Sequence, residues 1–274
     1  MWLRDKVVLI TGGSRGVGEA CAIACAKKGA KIVLAAKTLE PHPKLPGTLH
    51  DVAAKVRALG AEAHVVQVDI RFEDQVNAMV QSTIERFGRL DVLINNAGAI
   101  HLGNVGTWSL KKYDLVQNVN VRGAFLCCKA ALPYLRKNGG HILMMSPPIN
   151  PDGGKGKAPY LLSKIGMTLL AQAIDTEESK VSACALWPVT AIKTAATVNN
   201  NLGTDKDYRT ADILSEATVA LLDREPAEGG FRAWTDEDVL RAEGITDFSK
   251  YSVVPGSDPA PWSIQLIDPS WTPS

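Results

Sequence analysis

The stretch Lys6–Ala36, KVVLITGGSRGVGEACAIACAKKGAKIVLAA, decides the fold. It opens on a short β-branched run that stops at glycines. A segment of helical periodicity follows, and then a second apolar run ending at Ala36. Strand, helix and strand within about thirty residues is the signature of two parallel strands joined by a crossover helix. The glycines fall at the first strand-to-helix junction. Gly12 permits a tight turn, Gly16 lets the backbone approach a pyrophosphate, and Gly18 permits close packing of helix on strand. The free N–H groups and the positive helix end then face the phosphates. No Lys-Ser/Thr follows the glycines, so this is not a Walker loop.

Outward from this unit the pattern repeats. Helical periodicity marks residues 52–59, 73–87, 109–116, 124–135 and 160–177, with a break or bend at NVNVRG (118–123). Strands are expected at 63–68, 90–94, 141–145 and 181–186. These runs are apolar throughout instead of alternating, which indicates strands covered by helices on both faces. With right-handed crossovers the chain becomes a doubly wound, mainly parallel sheet. After Leu186 the pattern weakens. WPVTAIKTAATVNNNLGTDKDYRT (187–210) reads as a long loop with a short helix, and it precedes a helix at 212–222, a last strand at 230–234 and a short helical stretch. One domain is expected through residue 254. A Pro/Trp-rich tail, 255–274, carries Trp262 and Trp271, and such tryptophans imply a tail pinned to its own body or to a neighbouring subunit.

Lys and Arg number 30 against 29 Asp and Glu, a formal net charge of +1. No global field gathers nucleic acid or an acidic membrane surface, and neither is expected as a partner. No apolar stretch approaches the 18 residues of a membrane span. Met1–Lys6 is too short and too charged for a signal peptide, so a cytoplasmic location is expected. The five cysteines, Cys21, Cys25, Cys127, Cys128 and Cys184, lie in apolar surroundings without a CxxC and read as core thiols of a reducing compartment. The five histidines lack ligand spacing, and no metal is expected.

A carboxylate near the end of the second strand would hold an NAD ribose 2′-hydroxyl. Here the sequence is Ala35-Ala36-Lys37-Thr38, and Glu40 is the first acid. Lys37 and Arg15 instead bring cations to the adenosine side, where they suit the 2′-phosphate of NADP(H). Tyr160 and Lys164 stand one helical turn apart on one face, at the end of SPPINPDGGKGKAPYLLSK (146–164). A tyrosine hydroxyl titrates near 10, and a neighbouring ammonium favours its phenolate.

In order along the chain stand TGGSRGVG at Thr11–Gly18, Asp69, NNAG at Asn95–Gly98, Asn120, Ser146, and YxxxK at Tyr160 and Lys164. Together they resemble the short-chain dehydrogenase/reductase family over nearly the whole chain. AAKTLEPHPKLPGTLHDVA, MSPPIN and ALWPVTAIKTAA resemble its hydroxysteroid dehydrogenase-like branch, without that branch's additional sterol-carrier domain. The resemblance implies a three-layer Rossmann fold and an NADP(H)-dependent oxidoreductase acting on a small-molecule carbonyl/alcohol pair as a homodimer or homotetramer. It implies that Gly12, Ser14, Arg15, Gly16, Val17 and Gly18 form the pyrophosphate turn. Asp69 and Ile70 border the adenine, and Asn96, Ala97 and Gly98 the adenosine ribose. Pro188 and Thr190 lie at the nicotinamide. Asn120 bends a helix and holds a relay water, Ser146 binds the substrate oxygen, Tyr160 exchanges the proton, and Lys164 holds the nicotinamide ribose. The alternative is a catalytically inactive nucleotide-binding regulator or structural protein. Two departures mark the substrate side. Pro188-Val189 stands where the family often has Pro-Gly, and Trp234-Thr235-Asp236-Glu237 replaces a glycine-rich final turn. His101, after NNAG, reads as a polar loop residue.

Overall fold

The computed structural model describes residues 1–40, 47–148, 155–227 and 231–261. The proline-rich insertion around His42, the loop centred on Asp152, Gly230, Trp262 and Trp271 lie outside the described residues. Seven strands form one sheet: β1 (Val7–Thr11), β2 (Lys31–Ala36), β3 (Ala63–Gln67), β4 (Val92–Asn95), β5 (Gly140–Met145), β6 (Val181–Trp187) and β9 (Ala233–Thr235). Their order is β3-β2-β1-β4-β5-β6-β9, and every pairing is parallel. The fold is the doubly wound Rossmann α/β fold. Strand order reverses between β1 and β4, which opens a crevice at their carboxyl ends.

The continuous apolar strands serve two faces. On β1, Val8 and Ile10 pack with α1 (Gly16–Lys27), α2 (Leu49–Ala58) and α8 (Asp212–Leu222). Val7 and Leu9 face α3 (Glu73–Phe87), α5 (Gly123–Asn138) and α6 (Ala158–Glu177) on the other side. Each face therefore needs its own apolar set, and alternation disappears. α2 begins three residues before the expected start, because Thr48 and Asp51 close a capping box: Asp51 N–H donates to Thr48 Oγ1 at 3.2 Å and Thr48 N–H to Asp51 Oδ2 at 2.9 Å.

The bend at NVNVRG is a π-helical turn, Asn118–Arg122, which joins α4 (Leu110–Gln117) to α5. One widened turn lets the helix continue with its faces re-aimed, and Asn120 is fully buried there. The long segment after β6 is more ordered than a loop. It holds β7 (Ala191–Ile192), α7 (Ala195–Asn199) and β8 (Tyr208–Arg209), and β7 pairs with β8 in a second, two-stranded sheet. α9 (Asp236–Ala242) follows β9 directly, and Phe248 and Tyr251 beyond it are buried in the body.

Candidate active site

The crevice holds a cleft of about 1310 Å³, with Gly12, Arg15, Asp69, Tyr160, Lys164 and Thr190 along its walls. At its floor, Gly12 and Gly16 have φ of +68° and +59°, a region that disfavours a side chain. A Cβ at Gly18 would lie 2.4 Å from the Gly12 carbonyl oxygen, so α1 packs on the loop only through a glycine. Asn96 underpins the turn: its Nδ2 donates to the carbonyls of Thr11 (2.9 Å) and Gly12 (3.1 Å). Thr11 Oγ1 accepts from Asn96 N–H and Ala97 N–H, each at 3.1 Å. NNAG is thus a brace for the phosphate loop as well as a wall of the cleft. Ser14 is buried, and Arg15 and Val17 are half-buried at the rim.

At the adenosine end Asp69 is clasped from two sides. Lys37 Nζ lies 3.1 Å from Asp69 Oδ2, and Arg71 reaches both carboxylate oxygens through Nε and Nη2. These cations hold the Asp69 carboxyl well below the usual carboxylate range, Arg71 contributing most. Arg15 Nη2 donates to the Gly47 carbonyl at 2.8 Å. Ile70 is buried beside Asp69 and lines the cleft.

At the opposite end, Tyr160 and Lys164 lie in the first two turns of α6. Lys164 is 6% exposed and its ammonium donates to the Met145 carbonyl at 3.0 Å; burial pushes its pKa down to about 8. Burial pushes the half-buried Tyr160 hydroxyl above its ordinary value, the opposite of the lowering expected from a lysine one turn away. The reason is geometric: Lys164 turns back onto the end of β5 instead of toward the phenol. Asn120 is tied at both ends, its Oδ1 accepting from Ala99 N–H (2.7 Å) and its Nδ2 donating to Ala99 O (3.0 Å) and Ser163 Oγ (2.8 Å). A Cβ at Gly98 would lie 3.5 Å from Lys164 Nζ and 3.6 Å from Asn120 Oδ1, so Gly98 separates the two groups by one small residue.

Ser146 follows β5 at the cleft wall, but its hydroxyl donates to the carbonyl of Lys164 at 2.9 Å and accepts from Thr168 Oγ1 at 3.2 Å. A bond to a substrate oxygen requires the hydroxyl to leave that carbonyl. Thr190, after Pro188, is 1% exposed and its Oγ1 has no partner among the described residues. Glycines that leave the backbone open at the floor and an unsatisfied hydroxyl at the far wall fit a bound dinucleotide.

The model of the short chain dehydrogenase family matches residues 6–207. The chain belongs to the short-chain dehydrogenase/reductase family. The hydroxysteroid dehydrogenase-like protein 2 of Xenopus tropicalis is 42% identical over 259 residues, which are 93% of this chain and 62% of that protein. The chain thus spans somewhat under two thirds of the length of that curated relative. A putative dehydrogenase from Xanthomonas campestris superposes with a TM-score of 0.91 at 40% identity, covering 96% of this chain and 98% of that one. A short chain dehydrogenase from Mycobacterium thermoresistibile superposes at 0.88 and 38% identity, covering 97% of each chain.

The short-chain dehydrogenase/reductase cleft gathers Gly12, Ser14, Arg15, Gly16, Val17, Lys37, Asp69, Ile70, Asn96, Ala97, Gly98, Ser146, Tyr160, Lys164, Pro188 and Thr190 along one cavity. Gly18 stands behind the floor, and Asn120 behind Gly98. Two participants carried no motif. Arg71 is found only through its bidentate grip on Asp69. Thr194 caps α7 and puts its Cγ2 3.5 Å from where a Gly16 Cβ would be; Thr194 and Thr197, three apart, were the available signal. His101 packs on the Trp108 ring at 4.7 Å and contacts Lys112 through Nδ1 at 3.4 Å. The cysteines are free thiols, and burial pushes Cys21 up to about 12, far from the reactive thiolate. Among the described residues no acid, histidine or cysteine cluster has the form of a metal site.

Proposed function

We propose that this chain is an NADP(H)-dependent oxidoreductase that interconverts a carbonyl and a secondary alcohol on a hydrophobic substrate. The observation that carries the reading is Tyr160 and Lys164 on one face of α6, with Asn120 across Gly98, at the end of a cleft floored by the glycine loop. The nicotinamide cofactor supplies or accepts the hydride. Gly12, Gly16 and the start of α1 receive its phosphates, Asp69 and Ile70 border its adenosine half, and Gly98 lies beside Lys164 toward the nicotinamide half. Thr190 and Pro188 border the nicotinamide. Tyr160 donates its proton to the substrate oxygen as that oxygen becomes an alkoxide, or takes it back in the reverse direction. The Lys164 ammonium, freed from the Met145 carbonyl to hold ribose hydroxyls, lies within a turn of the phenol and lowers its pKa from the value set by burial. Asn120 fixes the Ala99 backbone and thereby the relay side of the site.

NADP(H) preference is supported by charge at the adenosine end. Lys37 and Arg71 carry two positive charges against the single carboxylate of Asp69, and Arg15 stands across the same mouth. The surplus favours a 2′-phosphate. Ile100, Val119, Leu186, Val198 and Leu202 in the cleft wall support a hydrophobic substrate. Leu110, Leu115, Phe125, Leu162 and Leu169 are exposed on α4, α5 and α6 and support a homodimer or homotetramer. No helix among the described residues is long and apolar enough to cross a membrane. Calorimetric titration with NADPH and NADH, followed by a turnover screen over hydroxysteroids, acyl thioesters and simple ketones, tests the reading. Tyr160→Phe is expected to bind NADPH as the parent does and to turn over about 10²-fold more slowly or worse. Undiminished turnover in that variant removes Tyr160 from the chemistry, and equal affinity for NADH removes the cofactor preference.

A further inference from the structure

The segment from Pro188 to Arg209 leaves β6, contributes a wall of the cleft and returns to its own starting point. β7 and β8 pair in register, Ala191 with Tyr208 and Ile192 with Arg209, and Lys193 N–H donates to the Arg209 carbonyl at 2.8 Å. Inside the flap, Lys193 pairs with Asp205 at 2.8 Å, Thr194 and Thr197 close one capping box, and Thr204 and Asp207 close another. The flap therefore holds itself together and joins the body at a single neck.

That neck rests on one turn of α9 and, on its outgoing side, on residues 251–253, where Val253 N–H donates to the Tyr208 carbonyl at 3.0 Å and the Tyr251 carbonyl accepts from Thr210 N–H at 2.7 Å. Asp236 Oδ1 accepts Val189 N–H at 3.0 Å, just before β7. Glu237 Oε1 accepts from Arg209 Nη1 at 2.6 Å, in β8. Neighbouring carboxylates thus grip the incoming and outgoing strands. Glu237 is steadied in turn: its Oε2 accepts from Arg241 at 2.8 Å, and the Arg209 and Arg241 guanidiniums lie 5.4 and 4.7 Å from the Phe248 ring. The grip is not saturated. Asp236 is fully buried, yet among the described residues its Oδ2 has no partner, and Arg209 Nε has none either. The two departures on the substrate side, Val189 and the Trp234–Glu237 turn, meet in the Val189–Asp236 bond.

We propose that Asp236 and Glu237 are positioning residues for the flap, setting the neck so that Thr190 and Thr194 face the cofactor and the apolar flap residues face the substrate. Neither touches the reacting atoms; they act through Val189 and Arg209. The assignment of those faces rests on the proposed oxidoreductase reading, and the test uses no turnover, so the two readings fail separately.

Lys193 and Lys206 are exposed in the flap and report on its opening as trypsin sites. The full chain is digested under native conditions, and cleavage after these lysines is timed by mass spectrometry against loss of the remaining chain. Asp236→Ala is expected to speed flap cleavage about tenfold while loss of the remaining chain is unchanged. Asp236→Asn, whose amide oxygen still accepts Val189 N–H, is expected to restore a rate within about twofold of the parent. Glu237→Gln leaves the Val189 bond intact and weakens the Arg209 grip, and it is expected to speed flap cleavage even where Asp236→Ala does not fold. Parental cleavage rates in both Asp236→Ala and Glu237→Gln overturn the proposal. So does an Asn variant cleaved as fast as the Ala variant.

Discussion

Ser146 and Lys164 are linked at the level of single atoms. The strand end presents Ser146 to the helix, where its hydroxyl proton goes to the Lys164 carbonyl, while the Lys164 ammonium reaches back to the carbonyl of Met145. The two bonds staple β5 to α6 at the position where Tyr160 must be placed. Thr168 extends the staple by donating to Ser146 Oγ, and Trp187 Nε1 donates to Thr168 at 3.4 Å. In this arrangement Ser146 positions the helix, and Pro147 is the next residue at the cleft wall. Ser146→Ala leaves a buried carbonyl and a buried hydroxyl short of a partner, at a cost of about 1–3 kcal/mol in stability. Urea unfolding is expected to show that loss, while turnover falls less than tenfold and stays well above that of Tyr160→Phe. A turnover loss matching Tyr160→Phe would instead place Ser146 on the substrate oxygen.

Between elements, the glycines of the phosphate loop decide distances. A methyl group at Gly18 meets the Gly12 carbonyl at 2.4 Å and Asn96 Nδ2 at 2.6 Å, both parts of one hydrogen-bonded brace. Gly18→Ala must push α1 off the loop. Dinucleotide affinity in a fluorescence titration is expected to fall at least about tenfold, with the far-UV spectrum unchanged. Unaltered affinity would show that the loop tolerates the shift. The elements that were legible in sequence share a cause. A strand such as Val7–Thr11 is buried on both faces, so its apolar run survives any detail of packing. The NNAG, serine, and tyrosine–lysine positions were singled out by their resemblance to the short-chain dehydrogenase/reductase family, and they fall at the ends of β4 and β5 and at the start of α6. β7 and β8 could not be read this way, because two residues each show no periodicity and they meet only when the flap folds back. The direction of the Ser146 hydroxyl was equally hidden, since it depends on a helix whose carbonyl lies 18 residues ahead. Arg71 lay two residues from Asp69 in plain view, but nothing in its spacing distinguished it from a solvated surface arginine.

At the scale of the whole molecule, the formal net charge of +1 leaves electrostatics local. Exposed pairs such as Arg86–Glu62 or Lys129–Glu73 contribute little each. Asp236 differs, because its carboxylate is buried where the sheet edge, the flap and α9 converge. Burial pushes its pKa up to about 7, against the N–H groups of Val189 and Glu237 and the charge of Arg209, which favour the ionised form; the Glu237 carboxylate opposes it. The folded chain therefore holds a proton that the unfolded chain, with an Asp pKa near 4, has already released. Stability from this group is fully present below about pH 4, is lost as pH rises toward about 7, and is level above that. Asp236→Asn keeps an acceptor for Val189 and cannot ionise. Its thermal midpoint, measured beside the parent from pH 4 to 9, is expected to gain on the parent up to about pH 7 and to run parallel above it. Taking the difference between the two proteins cancels the other buried groups, including His141, whose lowered pKa acts in the opposite sense. A difference that shrinks as pH rises would mean that Arg209 and the two N–H groups hold Asp236 ionised, with the neck fastened as an ion pair.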